Sequence, residues 1–323
     1  METVFLTGIT GLLGANLSRD LLNKGYYVKA LLRDKNKFKA DKHKNLELIQ
    51  GGLFDDLSTA ILGCDFVIHA AAETRQNIVN YSEYWQINYN ASIQILNTAI
   101  KCKIKRFIYV STANTMGYGS LQNPGKENDK MKSPFSESFY AKSKMETEEY
   151  LLTKKDKIEI AIINPTFMLG AYDNKPSSGK IILMGLNKKI IFCPPGGKNF
   201  VHVEDVADAV IKSMKNKLKF QRYLIANENL SYSDFYRKLN ALTRQKSIII
   251  TIPKAILILL AYFGELVRKL NIKSSISLTN INILCTYNYF TNSHSIINLN
   301  IKYQTIEKAI TDGVDYFKQH NIN

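Results

Sequence analysis

The sequence predicts an α/β fold with a doubly wound parallel sheet and a smaller C-terminal lobe, and three observations carry that prediction. Short β-branched and apolar runs alternate with amphipathic, helix-forming segments through the first half of the chain, the pattern of a parallel sheet wrapped by its own crossovers. The run Phe66 to Ala72 is almost wholly apolar, as a strand is when helices cover both faces of its sheet. Glycines at 8, 11 and 14 stand between the first strand and the first helix, where a phosphate-binding turn belongs in such a sheet.

The elements follow in order. Thr3 to Leu6 is the first strand. Leu12 to Lys24 is an amphipathic helix stopped by Gly25, a residue suited to the left-handed backbone of a helix end. Strands are expected at Tyr27 to Leu32, Leu46 to Ile49 and Phe66 to Ala72. Ser82 to Lys101 reads as a long helix, Arg106 to Thr112 as a strand, Phe135 to Lys154 as a helix, and Ile158 to Ile163 as a strand closed by Asn164-Pro165. Beyond Pro165 the order weakens. Asp173 to Lys180 is rich in turn formers, Cys193-Pro194-Pro195-Gly196-Gly197 is a break, and Val203 to Met214 is one more helix on the main sheet. Residues 1–170 plus about 198–226 would form a dinucleotide-binding domain, and about 171–197 plus 227–323 a substrate-binding lobe.

Composition narrows the function classes. With 323 residues, 45% hydrophobic and 22% charged, the chain is an ordinary globular protein with room for a full core. Its net charge of +15 comes with lysine, asparagine and isoleucine spread along the chain and no Arg-rich arm. This reads as a solvated basic surface with no nucleic-acid partner, though a diffuse positive field favours anionic ligands. Cys64, Cys102, Cys193 and Cys285 form no CxxC pair, so neither a metal site nor a redox dithiol is expected, and reduced thiols fit a cytoplasmic protein. The first strand begins almost at Met1, which leaves no secretory leader in view. The apolar run from Ala255 to Leu260, continuing through Tyr262 and Phe263 to Leu266 and Val267, is too short to span a bilayer. It is expected as a buried helix, ahead of one lying on a membrane surface.

The glycine turn has a chemical reading. Gly8 permits the tight turn, Gly11 lets a pyrophosphate approach the backbone, and Gly14 lets the helix pack against the strand, with Leu12 and Leu13 opening the helix. After the second strand an acid would hold a free ribose 2′-hydroxyl, yet Arg33 stands first, before Asp34. Arg33 could fork onto a 2′-phosphate, so NADP(H) is expected ahead of NAD(H). Lys35, Lys37 or Lys39 could add charge, and nothing singles one out.

Tyr140 and Lys144 lie four residues apart on a predicted helix and share a face. A phenol titrates at roughly 10, and a neighbouring ammonium together with a nicotinamide cation would lower that value. Tyr140 could then exchange a proton with a carbonyl or alcohol oxygen. The strand before that helix ends in Ser111-Thr112, at the sheet edge where ligands sit. Thr112 is the choice for the hydroxyl that orients the reacting oxygen; Ser111 is the alternative, on the other face by alternation. Glu73 and Thr74, after Ala72, could face substrate or solvent. His69 and His202 sit among apolar strand residues and read as structural.

These residues together resemble the extended short-chain dehydrogenase/reductases. The likeness rests on Thr7-Gly8-Ile9-Thr10-Gly11-Leu12-Leu13-Gly14, His69-Ala70-Ala71-Ala72, Asn88, Val110-Ser111-Thr112, Tyr140 with Lys144, Asn164-Pro165-Thr166 followed by Gly170, and Asn199 to Ala207. It spans nearly the whole chain with the motifs in family order. It implies a Rossmann fold, a catalytic set of Thr112, Tyr140 and Lys144, a cofactor lined by Ala70 and Ala71, and Asn164, Pro165 and Thr166 near the nicotinamide. Within the family the chain is most similar to the branch of dihydroflavonol reductases and hydroxysteroid dehydrogenases, on Arg33 and on Asn164 to Gly170. Asp173 to Gly179 is also similar to bacterial members described as sugar epimerases of hopanoid operons.

Three departures stand out. Lys198-Asn199 replaces the arginine usual in nucleotide-sugar epimerases before this strand's Phe200-Val201. Gly52 replaces the acid that contacts adenine. Met116-Gly117 replaces a Tyr-Gly and alters a wall of the substrate site near Asn114. The resemblance implies reduction of a small-molecule carbonyl. The alternatives are epimerisation or dehydration of a sugar or nucleotide sugar on tightly bound NAD, and non-catalytic sensing of NADP. It also implies a homodimer through the helices of 82–101 and 135–154.

Overall fold

The computed structural model describes residues 1–38, 43–218, 220–269, 272 and 274–322. The first half builds the sheet. β1 (Thr3–Thr7) leads to α1 (Leu12–Asn23), β2 (Tyr27–Leu32), β3 (Leu46–Gln50), the short α2 (Ser58–Ile61) and β4 (Phe66–His69). Then come α3 (Tyr81–Tyr84), a π-helical turn at Trp85–Asn90, α4 (Ala91–Lys101), β5 (Arg106–Val110), α5 (Phe139–Leu152) and β6 (Glu159–Pro165). The strands at 66 and 106 end three and two residues earlier than the apolar runs suggested, because the chain turns into the ligand edge at Ala70 and Ser111.

The second half is finer grained. It comprises β7 (Phe167–Leu169), α6 (Lys180–Gly185), β8 (Ile190–Cys193), β9 (Gly197–His202), α7 (Val203–Met214), β10 (Phe220–Ile225), β11 (Glu228–Ser231), α8 (Tyr232–Thr243) and β12 (Ile248–Thr251). It closes with α9 (Lys254–Lys269), α10 (Leu278–Leu284), β13 (Tyr287–Asn288), α11 (Ser293–Leu299) and α12 (Ile306–Gln319).

The main sheet has seven strands in the order β10-β6-β5-β4-β1-β2-β3, all parallel. The expected doubly wound sheet is therefore present, extended by β10, which the sequence reading left out. Strand order reverses between β1 and β4, where such folds open their ligand crevice. Alternation along β5 feeds a separate core on each face. Ile108 and Val110 join Leu17, Val206 and Ile163, whereas Phe107 and Tyr109 join Ile95, Leu151 and Ile162. A third core gathers Ile182, Phe200, Phe235, Ile310 and Phe317 from α6, β9, α8 and α12.

Two expectations need correction. The helix expected over 82–101 is present and carries the π-helical turn within it, whereas that over 135–154 begins as an α-helix only at Phe139, with the Ser138 hydroxyl capping Ala141 N–H at 3.4 Å. The helix expected to be buried near 255–267 forms as α9, but it is not buried. Only Leu257, Ala261 and Gly264 are covered, by α10 and the segment before it, while Leu259, Tyr262, Phe263 and Leu266 face outward. Its residues are apolar almost all round, so periodicity could not reveal which face would lack a neighbour.

Candidate active site

The glycine turn is shaped by contacts of three kinds. Gly8 has φ +83°, a backbone open mainly to glycine, and a Cβ there would stand 2.7 Å from Ala71 N. A Cβ on Gly14 would fall 2.0 Å from the Gly8 carbonyl oxygen. Both glycines are thus demanded by the protein's own packing. Gly11 differs: the nearest atom to its Cβ would be the Gly8 oxygen at 3.4 Å, an ordinary contact. α1 starts just after Gly11 with no side-chain cap, so its first N–H groups are available to an anion. Leu12 and Leu13 bury their side chains in the core and offer only backbone to the turn. At the neighbouring strand end, Ala71 N–H donates to Thr7 Oγ1 at 3.2 Å, which ties the ends of the paired strands β1 and β4 together.

Arg33 is exposed just past β2. Asp34 accepts Asn36 N–H at 3.0 Å and so caps the turn Lys35–Lys37; Lys39 lies outside the described residues. Gly52 is not far from an acid after all. The Asp55 carboxylate reaches back to accept Gly52 N–H at 2.8 Å, an arrangement that a reading by aligned position misses.

Tyr140 sits in the first turn of α5, half-buried, with its ring 6.4 Å from that of the buried Tyr84. Burial pushes its phenol up to about 12, and the Thr112 hydroxyl beside it pulls in the opposite direction. Lys144 lies one turn on and is 1% exposed. Its Nζ donates to the Val110 carbonyl at 2.7 Å and stands 4.2 Å over the Tyr109 ring. Burial pushes this ammonium down to about 7, opposed by Glu148. The protein therefore raises the phenol, whereas the sequence argument expected the lysine to lower it. Desolvation is the largest influence on both groups.

Thr112 Oγ1 accepts Asn114 N–H at 3.2 Å, which leaves its own proton free to donate to the Tyr140 phenol beside it. Ser111 faces away, as alternation required, and its hydroxyl donates to Glu148 Oε1. Behind the pair lies a network the sequence reading missed. Glu148 Oε1 also accepts from Thr115 Oγ1 at 2.8 Å and Asn164 Nδ2 at 2.7 Å, and its Oε2 meets an Arg222 guanidinium nitrogen at 2.8 Å. Glu148 stands one turn after Lys144, a spacing visible in the chain, but Arg222 comes from β10, which had not been recognised.

The π-helical turn presents Asn88 to the same region. Its side chain accepts Glu73 N–H at 2.8 Å and donates to Ser143 Oγ at 3.0 Å, locking the segment after β4 to α5. Asn164 turns its amide into the Glu148 network, Pro165 is buried at the end of β6, and the Thr166 hydroxyl donates to Asn199 Oδ1 at 2.8 Å. Ala70, Ala71 and Ala72 remain half-exposed along the crevice. Glu73 directs its carboxylate to Arg75. Asn114 accepts from Asn288 Nδ2 at 3.4 Å, while Met116 is 1% exposed and packs with Ala113, Leu224 and Phe290 in a small core.

Both histidines are held by protein groups. His69 bridges Thr7 Oγ1 at 2.7 Å and Ser92 Oγ at 2.9 Å, and burial holds it down to about 3. His202 accepts Glu204 N–H at 3.1 Å at the start of α7 and faces Asp312 at 3.0 Å.

Comparison with known proteins identifies the family. Residues 4–226 match the family described as the NAD dependent epimerase/dehydratase family. A sterol-4-alpha-carboxylate 3-dehydrogenase, decarboxylating, from Dictyostelium discoideum is 27% identical over 94% of this chain and 96% of its own. A dihydroflavonol 4-reductase from Arabidopsis thaliana is 26% identical over 73% of this chain and 69% of its own. The crystal structure of gox2253 superposes with a TM-score of 0.84 at 24% identity, covering 99% of both chains, a likeness of fold.

Proposed function

Because this chain belongs to the NAD dependent epimerase/dehydratase family and is an enzyme of the extended short-chain dehydrogenase/reductase type, we propose that it reduces a ketone or aldehyde to an alcohol with NADPH. The observation that carries the reading is the juxtaposition of Tyr140, Thr112 and Lys144 at the ends of β5 and α5, on the edge of the sheet that the glycine turn also occupies. The residues present suit a dinucleotide: Gly11 has room for a close approach and α1 leaves its first N–H groups uncapped. When bound, the reduced nicotinamide supplies a hydride to the carbonyl carbon. The chain's own groups do the rest. Thr112 donates to the carbonyl oxygen and holds it beside Tyr140. Tyr140 delivers its proton to that oxygen as the hydride's electron pair arrives at carbon, leaving an alcohol and a phenolate. Lys144, with one N–H fixed on Val110, has two left for the ribose hydroxyls, and its charge stabilises the phenolate.

Arg33 holds the 2′-phosphate in this reading and favours NADPH over NADH. The part of the chain from β7 onward that does not join the main sheet holds the substrate. Tyr140→Phe tests the chemistry. NADPH consumption should fall by about 10²–10⁴-fold while NADPH affinity, from binding titration, stays within a few-fold. Activity retained in that variant would refute the assignment, and equal affinity for NADPH and NADH would remove Arg33 from it. Turnover of a nucleotide sugar without added NADPH would favour epimerisation instead.

A further inference from the structure

We propose that the outward face of α9, with the strand face that leads into it, docks on an anionic membrane surface. The helix is inverted relative to an ordinary surface helix. One narrow stripe, Leu257, Ala261 and Gly264, packs inward against Ile276 and Ile281. Leu259 at 72% exposure, Phe263 at 68%, Tyr262 at 61% and Leu266 at 59% stand in solvent. The preceding strand continues the pattern: Ile248 and Ile250 of β12 pair with Ile190 and Phe192 of β8, and all four are exposed. Exposed apolar side chains gathered on one helix face and its neighbouring strands mark a place where something else binds.

Charge identifies the partner. Residues 174–203 and 235–306 hold fourteen of the chain's basic side chains and one acid, Glu265. Among them Arg237 and Lys238 are paired with Asp234, Glu228 and Glu307, which leaves a smaller basic surplus in this part of the chain. Glu265 is half-buried and accepts Leu278 N–H at 2.9 Å, so it offers little opposition. Exposed Lys188 and Lys189 precede β8, Arg244 and Lys246 precede β12, and Lys254 and Lys269 stand at the two ends of α9. An apolar helix face with basic groups at both ends fits lipid tails below and anionic headgroups around them, with the lysine stems reaching to the interface.

A second copy of this chain would set one basic surface against another, and a nucleic acid would make no use of Leu259 or Phe263. Among the described residues no helix is long and apolar enough to cross a membrane, so α9 would lie on the surface. The α9–α10 pair is also tied to the crevice. Arg268 donates to the Ile78 carbonyl at 3.2 Å and Asn280 to the Gln76 carbonyl at 3.2 Å, in the segment that leads into Tyr84. Docking would set the crevice mouth beside the bilayer.

Flotation of the full-length protein with lipid vesicles tests this. Wild type should float with phosphatidylcholine vesicles that contain phosphatidylglycerol, and about tenfold less with phosphatidylcholine alone. The double variant Leu259→Glu/Phe263→Glu should lose about tenfold or more of its binding to the anionic vesicles, with thermal midpoint and NADPH affinity unchanged. Salt at about 1 M, where the Debye length is about 3 Å, should weaken the wild-type binding. The proposal falls if wild type floats with neither vesicle, or if the double variant floats as well as wild type. It falls equally if light scattering shows a wild-type dimer that the double variant splits into monomers, since the face would then cover a second copy.

Discussion

Lys144 is the residue whose charge state decides most. Burial holds it down to about 7 from the ordinary 10.5, whereas the Tyr140 phenol is raised to about 12. Across the neutral range Tyr140 therefore keeps its proton, the form that the proposed reduction requires, while Lys144 loses its charge as pH rises through about 7. With that charge gone, the phenolate left after transfer has less to stabilise it. The kcat/KM for carbonyl reduction should fall as pH rises above about 7, and a profile flat to about pH 9 would remove Lys144 from the chemistry. The glycines separate packing from binding in a similar way. Gly14→Ala forces a Cβ to 2.0 Å from a backbone oxygen and should cost about 2–4 kcal/mol in urea unfolding. Gly11→Ala meets nothing nearer than 3.4 Å, so it should fold normally and lose dinucleotide affinity alone. Calorimetric titration beside the unfolding curves distinguishes the two.

At the scale of elements, β10 is tied to α5 by Arg222 and Glu148. Glu148 is 4% exposed and three neutral side chains converge on its Oε1, while Arg222 is 30% exposed. Arg222→Met would leave that carboxylate buried without its counter-charge. Because the arginine is partly in water, the loss should be about 2 kcal/mol, below the full cost of breaking a buried pair; an unchanged urea midpoint would show that the pair is idle. Its place in the chain explains what was and was not legible. The glycine turn, the Tyr140–Lys144 spacing and the hydroxyl at Thr112 are local patterns, and local patterns survive in a single sequence. Arg222 reaches Glu148 only because β10 adds beside β6, and a six-residue strand of mixed polarity after a turn gives no periodic signal. The π-helical turn that aims Asn88 was hidden because an extra residue in a helix leaves composition unchanged. The outward face of α9 was hidden because an all-apolar helix does not say which of its sides will find a neighbour.

For the whole molecule, buried titratable groups set how stability depends on pH. Lys144 and Lys198 are pushed down to about 7 and about 8 by burial, from 10.5. Over that interval the unfolded chain binds more protons than the native one, so stability climbs as pH rises from about 7 towards 10. Put the other way, the penalty of burying two ammoniums is fully felt below about pH 7 and disappears as they lose their protons. Tyrosines act with the opposite sign. Tyr84, Tyr140, Tyr223 and Tyr289 are raised by burial from 10.0 to about 12, so above about pH 10 the unfolded chain ionises first and stability falls. The two sets cross near pH 10, and the urea midpoint should rise from pH 7 to a maximum at about pH 9–10 before dropping steeply. Lys144→Met should flatten the rising limb and leave the falling limb intact, because it removes one of the two ammoniums and no phenol. A midpoint that declines between pH 7 and 9 in the wild type would show that neither lysine is held in its neutral form by burial, and the expected fall of kcat/KM above about pH 7 would lose its cause.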